Sequence, residues 1–246
     1  MPSEPSRVPT ACLVREPGSL GYPSGLSSLT PSPTVYLRGD PDAVLKPMVA
    51  VVGTRTPRAE WRAWAADLAA RLVERGFVIC SGFAPGIDRA AHRGALAAGG
   101  QTVAVLGEDV FDVRARGERE GMIELRDETL RRGCLLSEQA PGGPRCDRRH
   151  TVARLILRNR IIAAMSQGVV VAAAWDKGGA HVTADWAARL GRPVWTADFG
   201  EGTPVGNLRL MLGGHVALPA DARLAAEQIS PSPTSSFGSN GPVREP

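Results

Sequence analysis

The feature that most constrains this chain is an alternation: six apolar runs of five to seven residues, separated by longer segments in which apolar residues recur at helical spacing. The runs are MVAVVG (48–53), FVICSG (77–82), TVAVLG (102–107), CLLSE (134–138), GVVVAAA (168–174) and PVWTA (193–197). They are apolar on both sides of the pleat, which suits strands covered by helices on both faces rather than a sheet with one wet face. After the first run, Thr56 can cap and Pro57 can open a helix. Its stripe passes through Trp61, Trp64, Ala65, Leu68, Leu72 and Val73 to a stop at Gly76. Further helices are predicted over 86–98, 118–132, 150–166 and 180–190, with a short one from Gly206 to Leu212. The expected fold is α/β: an extended Rossmann-like, doubly wound and mostly parallel sheet with helices on both faces.

The flanks read differently. Residues 1–47 are rich in Pro, Ser and Gly without sustained periodicity and are expected to form a loop-like extension to a domain spanning 48–228. Residues 229–246 are expected to be a disordered tail. No run reaches the roughly 18 apolar residues of a membrane helix, and the N-terminus lacks a basic-then-apolar leader, so the expected location is the cytoplasm, away from any membrane. The four cysteines (Cys12, Cys80, Cys134, Cys146) form no C-x-x-C pair and the four histidines are scattered, so neither a metal nor another cofactor is expected.

A formal net charge of +4 says little, but 27 of the 29 basic residues are arginine, whose planar fork fits phosphate. Genome base composition produces the same bias, so distribution carries more weight. Segment 145–160 holds Arg145, Arg148, Arg149, Arg154, Arg158 and Arg160 against the single acid Asp147, whereas the six arginines of 112–132 are matched by six acids.

In doubly wound sheets ligands bind beyond the carboxyl ends of the strands. After the first run comes Gly53-Thr54-Arg55-Thr56, where glycine permits close approach of backbone to an anion, a helix start offers N–H donors and Arg55 adds charge. After the second comes another small-residue turn, Ser81-Gly82-Phe83-Ala84-Pro85-Gly86-Ile87-Asp88. Neither matches G-x-G-x-x-G or the lysine-bearing phosphate loop, which disfavours a nicotinamide enzyme and an ATPase. Asp88 either stabilises the helix start or serves a site, and His92, four residues on, sits where a carboxylate can orient its ring. Ser81 lacks the G-x-S-x-G setting of a nucleophile. Arg158, Asn159 and Arg160 interrupt an apolar helix and need partners, either backbone carbonyls at the sheet end or phosphates. Lys177, beside Gly178-Gly179 after the fifth run, either joins that basic rim or is simply solvated.

VAVVGTR, SGFAPGIDRAAHRGAL, GQTVAVLG, LLSE and LRNRIIAAMS, in that order and at those spacings, resemble the DNA-processing protein A (DprA/Smf) family. Gly21-Tyr22-Pro23 and TVYLRGD (34–40) resemble the segment that precedes its first strand, so the likeness covers about residues 21–218. The resemblance implies a protein that binds single-stranded DNA without catalysing a reaction, forms homodimers and helps load a RecA-type recombinase during natural transformation. It assigns DNA contact to Gly53, Arg55, Ser81, Gly82, Gly86, Arg158, Asn159, Arg160 and Lys177, and shaping of the pocket to Asp88 and His92. The chain departs from the family pattern at GEDVFDVRARGERE (107–120), at Leu155-Ile156 in place of a Phe-Pro pair, and at GGAHVTA (178–184). Arg55→Ala combined with Arg158→Ala is expected to cut DNA affinity without unfolding the chain.

Two other readings use the same residues. One is a nucleotide-ligand sensor or nucleotide-processing protein on the same fold, although P-G-G-x-G-T-x-x-E is absent, Pro141-Gly142-Gly143 being followed by Pro144-Arg145-Cys146. The other is an interaction protein that has lost DNA binding and presents Trp61 or Trp64 to a partner.

Overall fold

The computed structural model describes residues 11–112, 119–143, 148–230 and 243–244. Strands β1 (Leu13–Arg15), β2 (Leu29–Thr30) and β3 (Val35–Gly39) precede the first of the predicted strands, β4 (Met48–Gly53). There follow α1 (Ala59–Glu74), β5 (Val78–Ser81), α2 (Ile87–Ala97), β6 (Thr102–Leu106), α3 (Arg119–Arg132) and β7 (Cys134–Ser137). The second half comprises α4 (Arg148–Leu157), α5 (Asn159–Met165), β8 (Val169–Ala173), α6 (Gly179–Arg189), β9 (Val194–Ala197), α7 (Val205–Leu212), β10 (Val216–Leu218), α8 (Ala222–Gln228) and β11 (Val243–Arg244).

Nine strands form one sheet in the order β1-β3-β7-β6-β5-β4-β8-β9-β10. The seven from β7 to β10 are parallel, and β3 and β1 extend the β7 edge antiparallel. From β4 the chain winds outward through β5 and β6 to β7, then returns to lay β8 on the other side of β4 and winds the opposite way. The connections leaving β4 and β8 therefore diverge, which opens a crevice at their carboxyl ends. The β4–β8 register slips between Val52 and Gly53, at the mouth of that crevice.

Because side chains alternate across a strand, each β-run feeds two cores. Ala50, Val52, Cys80, Val103, Val105, Val169 and Val171 pack with α5 and α6 on one face. Val49, Val51, Ile79, Val170 and Ala172 pack with α1, α2 and α8 on the other. A third cluster joins Ala104, Leu106 and Leu135 to Met122, Leu125 and Leu130 of α3. This is the doubly wound α/β sheet expected from the alternation.

Four local readings change. The helix after β4 starts at Ala59, with Arg58 as its N-cap and no side-chain capping bond, so Thr56 and Pro57 belong to the turn before it. The single helix expected over 150–166 is divided into α4 and α5 at Arg158. Residues 11–47 are more than a loop: Val35 and Leu37 of β3 bury against the sheet, as do Leu26 and Leu29, and Gly25 lies so close to the Ala164 carbonyl that no Cβ fits between them. At the other end α8 and Ile229 belong to the core, residues 231–242 lie outside the described residues, and Val243–Arg244 pairs with β2.

Among the described residues no helix is long and apolar enough to cross a membrane, and no cluster of His, Cys, Asp and Glu is arranged to hold a metal. Cys80 and Cys134 are buried and reduced and Cys12 is half-buried, while Cys146 lies outside the described residues.

Candidate functional site

At the switch point lies a cavity of about 360 Å³, lined from β4 and its turn by Gly53, Thr54 and Arg55, from α2 by Asp88, and from the α4–α5 joint by Arg158 and Asn159. The turn after β8 adds Trp175, Lys177 and Gly178, and α6 adds Gly179, His181 and Thr183. A smaller cavity of about 110 Å³ adjoins it through Arg55, Ala84 and Leu155 and contains Gly82, Phe83 and Glu108. Residues far apart in sequence thus meet where a doubly wound sheet places its ligands.

Arg158 forms the internal wall. It is buried at the joint between α4 and α5, and its guanidinium donates to the carbonyl oxygens of Gly82 (2.5 Å) and Val105 and, through Nε, to that of Leu155 (3.3 Å). Asp88 lies 4.0 Å from it, equally buried, and accepts a bond from the Ala84 N–H. Burial pushes the Asp88 carboxyl above its ordinary range, against the pull of Arg158 and the nearby backbone N–H groups. The guanidinium occupies the space beside Gly82, so a Cβ there would overlap it. Gly86, with φ +89°, turns the chain into α2 against the Thr54 carbonyl; both its dihedral and that contact require glycine.

Ser81, Arg160 and His92 support this wall without lining the main cavity. Ser81 donates from its hydroxyl to the Val51 carbonyl (2.7 Å). Arg160 is buried on the Glu138 carboxylate (2.5 Å). His92 does not pair with Asp88: its Nδ1 meets the Thr102 hydroxyl (2.5 Å), which itself donates to the Ile79 carbonyl, so the ring carries its proton on Nδ1. Phe83 packs against the ring, and burial together with Arg158 and Arg89 pushes the His92 pKa down to about 3. Asn159 donates to the Gly179 carbonyl (3.3 Å) and ties α5 to the start of α6. Since Arg158 holds three carbonyls, its truncation is a fold-level change, and the combined Arg55→Ala and Arg158→Ala variant is expected to lose stability.

Arg55 and Lys177 are different: both are exposed at the cavity. Beside Lys177, α6 begins on Gly178-Gly179 with no side-chain cap, and backbone N–H groups at such a start suit an anion. Sequence reasoning missed Trp175, His181 and Thr183. Thr183 donates to the Gly179 carbonyl, and His181 contacts the Trp175 carbonyl through Nε2 (2.8 Å). Nothing at their own positions marks them, because only the return of β8 beside β4 brings them to Arg55. Phosphate contact by Gly53, Ser81, Gly82, Gly86, Asn159 and Arg160 stays an expectation of the resemblance.

A doubly wound, mostly parallel sheet with a cation-bordered crevice at its switch point defines a Rossmann-like protein. The chain belongs to the family described as DNA recombination-mediator protein A, whose model matches residues 15–219. It is 37% identical over 177 residues to the DNA processing protein DprA of Streptococcus pneumoniae, covering 71% of this chain and 58% of that one. The X-ray structure of Streptococcus pneumoniae DprA superposes with a TM-score of 0.76 at 27% identity, covering 91% of this chain and 76% of that one. A Helicobacter pylori DNA processing protein A, whose structure concerns a single-stranded DNA binding mode, shares the fold with a TM-score of 0.71 at 24% identity, covering 84% and 90%. The chain spans between 37% and 58% of the length of the curated relatives it matches.

Proposed function

We propose that this chain binds single-stranded DNA at the switch-point cavity, in DNA processing and recombination, and acts by binding rather than by catalysis. The observation that carries the reading is the exposed pair Arg55 and Lys177 on one cavity whose lining also includes the glycine turn Gly53-Thr54 and the start of α6 at Gly178-Gly179. Family membership and the single-stranded DNA mode of the Helicobacter pylori protein support it. In this reading the rim cations and backbone N–H groups neutralise phosphates, while Arg158 and Asp88 hold the neighbouring turn after β5. Homodimerisation, cooperation with a RecA-type recombinase on incoming DNA during natural transformation, and a cytoplasmic location extend the proposal on the same family grounds.

Fluorescence anisotropy of labelled oligo-dT at two salt concentrations, with duplex DNA and a nucleotide panel as controls, tests it. The expected result is single-strand binding that weakens with salt, at a slope of about −0.7 per phosphate neutralised, and weaker duplex binding. No DNA binding, together with a nucleotide that raises the melting temperature, would replace this reading with a nucleotide sensor. Light scattering reports the dimer, and recombinase filament formation on DNA coated by a single-strand-binding protein reports the partnership.

A further inference from the structure

We propose that Trp175 is the base-stacking residue of this site, receiving a nucleobase of the strand whose phosphates Arg55 and Lys177 neutralise; the inference rests on the single-strand reading above. The chain has five tryptophans. Trp61, Trp64, Trp186 and Trp195 are between 1% and 7% exposed, whereas Trp175 is 45% exposed and lines the cavity. An indole left half in water forgoes much of its burial energy, and one placed in a concave, cation-rimmed cavity offers a flat apolar face to a flat ligand.

The ring stands on a rigid base. Trp175 and Trp61 meet edge to face, with centroids 5.5 Å apart and 68° between planes, and Trp61 is itself packed against Phe199. In an edge-to-face pair Trp61 covers at most one face of the Trp175 indole. The backbone beneath is clamped: the Trp175 carbonyl meets His181 Nε2, Gly206 packs directly on that carbonyl, and Asn207 accepts from the Ala174 N–H (2.8 Å). A pre-ordered ring stacks without the cost of immobilising a mobile one. Apart from the His181 imidazole, Trp175 supplies the aromatic ring among the described residues lining the cavity, and Lys177 follows it by two residues. Charge for phosphate and a plane for a base therefore lie on the same turn after β8.

The test compares oligo-dT with an abasic oligomer of equal length, using the wild-type chain, Trp175→Leu and Trp175→Phe, with melting temperature as the control for folding. Wild type is expected to prefer oligo-dT by roughly 5- to 100-fold over the abasic strand. Trp175→Leu is expected to lose that preference while binding the abasic strand and showing a salt slope as wild type does. Trp175→Phe retains most of the preference. Equal wild-type affinity for the two oligomers overturns the stacking role and needs no variant. Equal weakening of both by Trp175→Leu also overturns it, since a cavity-shaping role predicts that pattern. If wild type binds oligo-dT and Trp175→Leu keeps its preference, stacking fails while the single-strand reading stands. If wild type binds neither oligomer, both fail.

Discussion

Arg55 and Arg158 line the same cavity, the first exposed on the turn after β4 and the second buried where α4 meets α5. Both are plausible phosphate ligands by residue type, and in sequence Arg158, inside a basic segment, is the more conspicuous. The structure gives them opposite environments. Arg158 directs its donors to the carbonyls of Gly82, Val105 and Leu155, joining the turn after β5 to β6 and α4, with Asp88 as a neighbouring countercharge. Arg55 bears no such desolvation and keeps its charge exposed at the cavity. Buried cations here build the cavity, and exposed ones set its field.

The largest effect is expected from Arg158→Ala. Removing a buried cation that satisfies several carbonyls is expected to cost about 3–5 kcal/mol, read as a lower urea midpoint. A cost below about 1 kcal/mol would put Arg158 on a par with Arg55. Next in size is Gly82→Ala, whose methyl displaces the pinned guanidinium; about 1–3 kcal/mol is expected, and an unchanged midpoint would show that Arg158 can move freely.

The buried side of the comparison also has a pH signature. The folded-state pKa of His92 is about 3, below its ordinary value near 6.5, so the unfolded chain binds a proton that the folded one refuses. The stability this group contributes is complete above about pH 6.5 and declines by up to about 1.4 kcal/mol per pH unit as pH falls toward 3. Urea unfolding at pH 7 and pH 5 should show a gap that shrinks in His92→Asn; an undiminished gap assigns the effect elsewhere.

The exposed side predicts the smallest effect on stability. Arg55→Ala and Lys177→Ala are each expected to change the unfolding free energy by less than about 0.5 kcal/mol. Each is expected also to flatten the salt slope of single-strand binding by about 0.7. A folded Arg55→Ala, Lys177→Ala double variant with the wild-type slope would remove both residues from the DNA site.

Much of this was legible in the chain itself. Six strands and the helices between them appear at the expected places because burial on both faces demands continuous apolar runs, and helices demand a stripe. The small-residue turns after β4 and β5 were legible for the same reason, since Gly82 and Gly86 stand where a side chain has no room. β3 was not legible: it is a short strand in a Pro-rich segment, and its apolar Val35 and Leu37 acquire meaning only against β7. The division at Arg158 was hidden as well, because helical periodicity continues across it and the carbonyls that hold the guanidinium come from residues 76 and 53 positions away.

The sequence by itself determined the layered α/β architecture and the small-residue turns after β4 and β5, because both follow from local spacing and the room a backbone needs. Tertiary structure alone decided which cations face solvent, which are consumed inside, and that Trp175 is left half exposed beside them. Those outcomes depend on desolvation and on partners from distant segments, and neither is encoded at any single position.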